Sequence, residues 1–251
     1  MEIAEHINSL AVEGRLLAKA AQEAGTGAPV PTCPGWQVRD LLRHTAMVHT
    51  WAAAFVTEGH TSYVPDTGEP GLDGPGLLDR FRDGHHRLVA ALEGAPPDVE
   101  CWTFLAAPSP LAFWARRQAH ETTVHRVDAE SARGGALSPV AAAHAVDGVE
   151  ELLLGFHTRP RSRVRTEEPR TLRVRATDTG MVWTVRLSAE PPRAVRETGA
   201  PMDTAVDCEL SAPAQDLYLS LWNRLPLTAL AVTGDPDLAR LWRENSAVTW
   251  S

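Results

Sequence analysis

Lysine is almost missing from this chain: Lys19 stands alone, and the other basic residues are arginine. No Lys/Arg block interrupts the 251 residues, and a formal charge of −8 runs against a general affinity for nucleic acid. No apolar run reaches the roughly 18 residues that span a bilayer. The opening Met1-Glu2-Ile3-Ala4-Glu5-His6 lacks the basic and apolar regions of a secretory signal. Cys33, Cys101 and Cys208 are far apart, odd in number and without a CxxC pair. That disfavours a disulfide framework or a thiolate zinc knot and fits a reducing cytoplasm. Internal repeats and low-complexity tracts are absent, as is the H-E-x-x-H pattern of zinc proteases. The 43% hydrophobic content supports a buried core. The expectation is a soluble cytoplasmic protein with neither a nucleic-acid nor a membrane partner.

Apolar spacing of three and four predicts helices over Glu2–Glu23, about Val38–Thr57, about Leu77–Leu92 and from Pro110 to the breaker Gly134-Gly135. A fifth, with Ser138 as N-cap and Pro139 at its first position, should run to about Phe156. Glu58–Pro75, rich in Gly, Pro, Asp and Thr, reads as a long loop. Past the basic segment Arg159–Arg165 the period changes to two. Thr171–Ala176 and Val182–Leu187, joined by Asp178-Thr179-Gly180, predict a hairpin, and Val206–Leu210 a further strand. Ala212–Trp222 and the segment after Gly234-Asp235-Pro236 predict two short helices. The boundary is accordingly placed near residue 160, with a helical bundle over 1–158 and an α/β domain over 166–251.

Glu121 and His125 are four residues apart, so a helix stacks them on one face, as two ligands of one metal ion require. A third ligand is needed. On the second helix His44 shares its side with Leu41 and Val48 and should project inward, whereas His49 should lie at the edge of that face. Two antiparallel helices can bring His44 opposite Glu121 and His125, a His₂Glu set suited to zinc or a similar divalent ion. Asp128 is placed either to accept a hydrogen bond from His125 or to sit solvated at the surface. His85 and His86 read as part of a solvated face, with His85 as an extra ligand the lesser alternative; Trp36 and Trp51 read as core packing ahead of pocket walls, and Cys33 as packing beneath the turn. His120 is left outside the ligand set.

Cys33-Pro-Gly-Trp-Gln-Val-Arg-Asp-Leu-Leu-Arg-His44, Glu121-Thr-Thr-Val-His-Arg-Val-Asp128, and Leu221-Trp-Asn-Arg224 through Val232-Thr-Gly-Asp235 resemble the mycothiol-dependent maleylpyruvate isomerase family over nearly the full length. The resemblance implies an α + α/β fold, an N-terminal DinB-like four-helix bundle followed by a small sterol-carrier-like α/β domain. It implies a divalent metal, usually zinc, on His44, Glu121 and His125, with mycothiol as thiol cosubstrate. It implies a small electrophilic, anionic substrate met by Arg224; a surface arginine closing a helix is the competing reading of that residue. A metal-bound thiol favours its thiolate, which can add to an electron-poor double bond and leave after rotation (isomerisation) or remain (S-transfer). The contrasting expectation is a noncatalytic metal- or ligand-binding regulatory protein on the same bundle.

Overall fold

The computed structural model describes residues 1–66, 68, 71–198 and 205–248. It divides into two compact units, Met1–Ser138 and Pro139–Ser251. The first holds four helices: α1 (Ile3–Ala24), α2 (Val38–Glu58), α3 (Gly74–Gly94) and α4 (Pro110–Arg133). Their ends follow local chemistry. Glu2 and Glu5 form a capping box at α1, and Gln37 and Asp40 do so at α2. At α4 Ser109 accepts from the Ala112 amide while Pro110 occupies the first turn. Asp73 caps α3, which begins three residues before Leu77. Residues 67, 69 and 70 of the loop expected over Glu58–Pro75 lie outside the described residues.

Helix α4 is the axis of this unit. Every residue from Arg117 to Glu130 is buried, so a sequence nearly even in polarity around the helix has no solvated face. Two apolar clusters fill the unit. One gathers Leu10, Phe55, Leu88 and Trp114, the other Leu17, Leu42, Phe81 and Ala129. Phe55 stacks on Trp114 at 5.1 Å and 16°, and each such aromatic contributes about 2–3 kcal/mol by leaving water. Along each helix, buried polar residues fall between the two clusters: Glu13 on α1, His49 on α2, His85 on α3, and Glu121, Thr122, Thr123, His125 and Arg126 on α4.

Helix α5 (Ala142–Glu150) opens the second unit and runs on as a π-helical turn over Glu151–Phe156, where the His157 amide donates to Leu152 O. The sheet comprises β1 (Arg170–Ala176), β2 (Val182–Leu187), β3 (Arg193–Arg196), β4 (Cys208–Ala212) and β5 (Ala231–Gly234), in the order β3-β2-β1-β4-β5. β1 and β4 are parallel, and the other neighbours are antiparallel. Helices α6 (Ala214–Leu221) and α7 (Pro236–Asn245) complete it. Gly234 is required where it stands: φ is 86°, and a Cβ there would lie 2.3 Å from Asp207 O.

Two expectations shift. The units part at Ser138/Pro139, ahead of the boundary placed near residue 160, because α5 packs on α6 and its backbone and side chains serve the second unit. Trp222 Nε1 donates to Gly148 O and Trp183 Nε1 to Glu150 Oε1. Ser138 does not cap α5, which starts after Ala141; its amide and hydroxyl donate to Glu130 and its carbonyl accepts from Arg126. The strands β3 and β5 were not anticipated. Both are sheet edges with largely exposed side chains, so no apolar alternation marks them. Among the described residues, no helix is long and apolar enough to cross a membrane.

Candidate metal centre

His44, Glu121 and His125 converge, with one ligand atom of each lying within 4.8 Å of the others. His44 Nε2 stands 3.2 Å and His125 Nε2 3.1 Å from the same oxygen, Glu121 Oε1. Donors held roughly 2.0–2.1 Å from a tetrahedral zinc lie about 3.3 Å apart, so the spacing fits such an ion. Asp128 decides the protonation. Its Oδ2 sits 2.8 Å from His125 Nδ1, and its carboxylate also accepts from Thr32 Oγ1 at 2.5 Å and from Cys33 Sγ at 3.4 Å. With the Nδ1 proton committed to Asp128, a neutral His125 turns an Nε2 lone pair toward a carboxylate oxygen. Two acceptors face one another there, which only a proton or a cation between them relieves.

The electrostatics follow from that contact. Burial alone would raise the Glu121 carboxyl, yet the hydrogen bonds with His125 and His44 and the charges of His125 and Arg117 hold it well below the usual carboxylate range. Burial would lower His125, but Asp128 and Glu121 raise it above an ordinary imidazole. The residues present therefore suit a divalent ion: two imidazole nitrogens, one carboxylate oxygen, and an outer carboxylate fixing the tautomer of one ring.

Of the expected residues, the metal set is brought together, and Asp128 is fully buried rather than solvated. His49, expected at an edge, is the deeper histidine of α2; it is wholly buried, with Nε2 2.9 Å from Thr122 Oγ1, while the His44 side chain keeps 17% exposure. His85 is likewise buried, and its Nε2 lies 2.9 Å from Leu10 O, because α3 turns that side toward α1. Trp51 packs as expected, inside an aromatic group with Phe55, Trp102 and Trp114. Trp36 does more than pack. Its indole lies 5.3 Å from the His44 ring and stacks near-parallel on His125 at 6.3 Å. His120 stays outside the set and meets His6 edge-on. In the second unit Arg224 follows Asn223, whose φ of 65° turns the chain off α6, and its Nη1 donates to Trp222 O. Sequence reasoning missed Arg117 and Thr32. Arg117 had a visible signal, its four-residue spacing from Glu121, whereas Thr32 lies in a Pro-rich turn 96 residues from Asp128.

Two family models match the chain: "Mycothiol maleylpyruvate isomerase N-terminal domain" over residues 8–130 and "MDMPI C-terminal domain" over 143–241. The chain belongs to the mycothiol-dependent maleylpyruvate isomerase family. The fold agrees. A crystal structure of the mycothiol-dependent maleylpyruvate isomerase, in a histidine-to-alanine variant, is similar with a TM-score of 0.61 at 12% identity, covering 93% of each chain. The unsubstituted isomerase gives 0.59 at 12% identity, again over 93% of each. No curated protein matches the sequence. At that identity the structures speak for the fold of this family member, a four-helix N-terminal unit followed by a small sheet unit.

Proposed function

We propose that this family member is a divalent-metal-dependent, mycothiol-using enzyme acting on a small, electrophilic, anionic substrate. The observation that carries the reading is the convergence of His44 Nε2 and His125 Nε2 on one oxygen of Glu121, with Asp128 on the other nitrogen of the His125 ring. His44, Glu121 and His125 would hold the ion, zinc by the balance of nitrogen and oxygen donors. When bound, the ion supplies Lewis acidity that favours the thiolate form of a coordinated thiol.

The chain's residues provide the surroundings. Asp128 keeps His125 in one tautomer and orientation. Trp36 lays an apolar face beside both imidazoles and sheds water from that side. Arg224, a forked cation on the second unit, is assigned to the substrate carboxylate. In the reaction the thiol sulfur adds to an electron-poor C=C, the resulting single bond rotates, and the C–S bond breaks to return the thiol, with no net change of atoms. Retention of the C–S bond, with the thiol's proton taken up by the neighbouring carbon of the former double bond, instead makes the product an S-conjugate. The setting is the cytoplasm, where a reduced thiol persists; none of Cys33, Cys101 and Cys208 forms a disulfide.

Metal-loaded protein incubated with mycothiol and maleylpyruvate, or other small electrophiles, should yield isomer or conjugate by mass spectrometry. Neither product, together with no thiol binding by calorimetry, would turn the reading to a noncatalytic metal-binding protein. Arg224→Ala should raise KM for an anionic substrate while leaving metal content unchanged.

A further inference from the structure

We infer that Arg117 is a positioning residue that makes Glu121 a one-oxygen ligand. The inference rests on the metal-centre reading above and concerns a residue outside the ligand set. A carboxylate has two equivalent oxygens and can close on a cation with both, so something must decide between one and two. In this chain Arg117 Nη2 stands 3.2 Å from Glu121 Oε2, while Oε1 alone faces the imidazoles of His44 and His125. The two oxygens of one carboxylate are thereby given different partners.

The position is not one where an arginine goes by default. Arg117 is 1% exposed, at the start of the stretch to Glu130 that is buried all round, and putting a guanidinium there costs it its hydration. It lies one turn before Glu121 on α4, so the reach is set by helix geometry and not by a mobile loop. A guanidinium stays charged at every working pH, so its hold on Oε2 does not release with pH. With Oε2 engaged, the three ligands supply three donor atoms, and a position remains for a thiol; a two-oxygen carboxylate would compete for that position.

The test compares Arg117→Met and Arg117→Gln with the native protein, reading zinc affinity by chelator competition and the visible spectrum after cobalt(II) substitution. Loss of Arg117 should lower metal affinity about tenfold to a hundredfold, the range typical of outer partners, and shift the cobalt bands toward the weaker absorption of a five-coordinate ion. A residue that only stabilised the fold would lower the unfolding midpoint and leave the spectrum of the folded protein unchanged. Native affinity together with a native spectrum in the folded variant overturns the inference; Arg117→Gln decides if Arg117→Met does not fold. Failure of the underlying reading looks different: the native protein takes up no metal, or His125→Ala retains it, and the role of Arg117 falls with it.

Discussion

Two guanidiniums are buried on α4, and they keep different company. Arg126 is paired with two carboxylates and a backbone carbonyl. Its Nε donates to Glu13 at 2.6 Å, and its Nη1 to Glu130 at 2.7 Å and to Ser138 O at 2.8 Å, while the Ser138 hydroxyl satisfies the second Glu130 oxygen. Burial still raises the Glu13 carboxyl against the pull of Arg126, as expected of a group held for packing. Arg117 instead holds one oxygen of Glu121, whose other oxygen is turned toward two imidazole nitrogens. The first assembly ties α1 to α4. The second turns three possible ligand atoms, from His44, Glu121 and His125, toward one point, and that difference separates a structural ion pair from a candidate site.

Removing a ligand should break the comparison most sharply. His44→Ala, Glu121→Ala and His125→Ala should each reduce bound metal from about one equivalent to trace by elemental analysis, since too few protein donors remain. Stoichiometric metal in all three would mean that the set is not a site. Arg126→Met should act on the other side, lowering unfolding free energy by about 3–5 kcal/mol because buried carboxylates lose their partner. Urea denaturation measures this, and metal content per folded molecule should not change. A parallel loss of metal would show that the two assemblies are one.

The smallest effect concerns pH. His49 shares α2 with His44, but burial pushes its pKa down to about 3. Between an unfolded value near 6.5 and that folded value, the unfolded chain binds a proton that the folded chain refuses. The stability from a neutral His49 is therefore full above about pH 6.5 and is lost as pH falls toward 3. From pH 7 to 5 the metal-free protein should lose about 2 kcal/mol on this account. His49→Gln, which keeps a polar partner for Thr122, should flatten that part of the profile in thermal unfolding. An unchanged slope would place the acid sensitivity on other groups.

Much of the helical unit could be read in advance because its signals are local. The breaker stretch through Pro34 and Gly35 announces α2, Ser109-Pro110 opens α4, and four-residue spacing stacks Glu121 on His125. The alternation in Thr171–Ala176 and Val182–Leu187 likewise corresponds to β1 and β2. The edge strands carried no such mark, and the start of α5 was hidden because Ser138 offers the same hydroxyl to Glu130 that it would offer to a helix. The burial order of His44 and His49 also escaped. Helical spacing says that two residues point apart, but not which of two neighbouring helices covers each.

By itself the sequence determined what depends on near neighbours: the helices and hairpin, the stacked Glu121/His125 pair, and the cap at α4. Only the tertiary structure decided that Thr32 and Cys33 reach Asp128, that Trp36 lies on His125, and that the oxygens of Glu121 are divided between Arg117 and two imidazoles. The physical reason is range. Backbone geometry sets spacing within a few residues, whereas the protonation and charge of a buried group are set by whatever packing brings within a few ångströms, however distant along the chain.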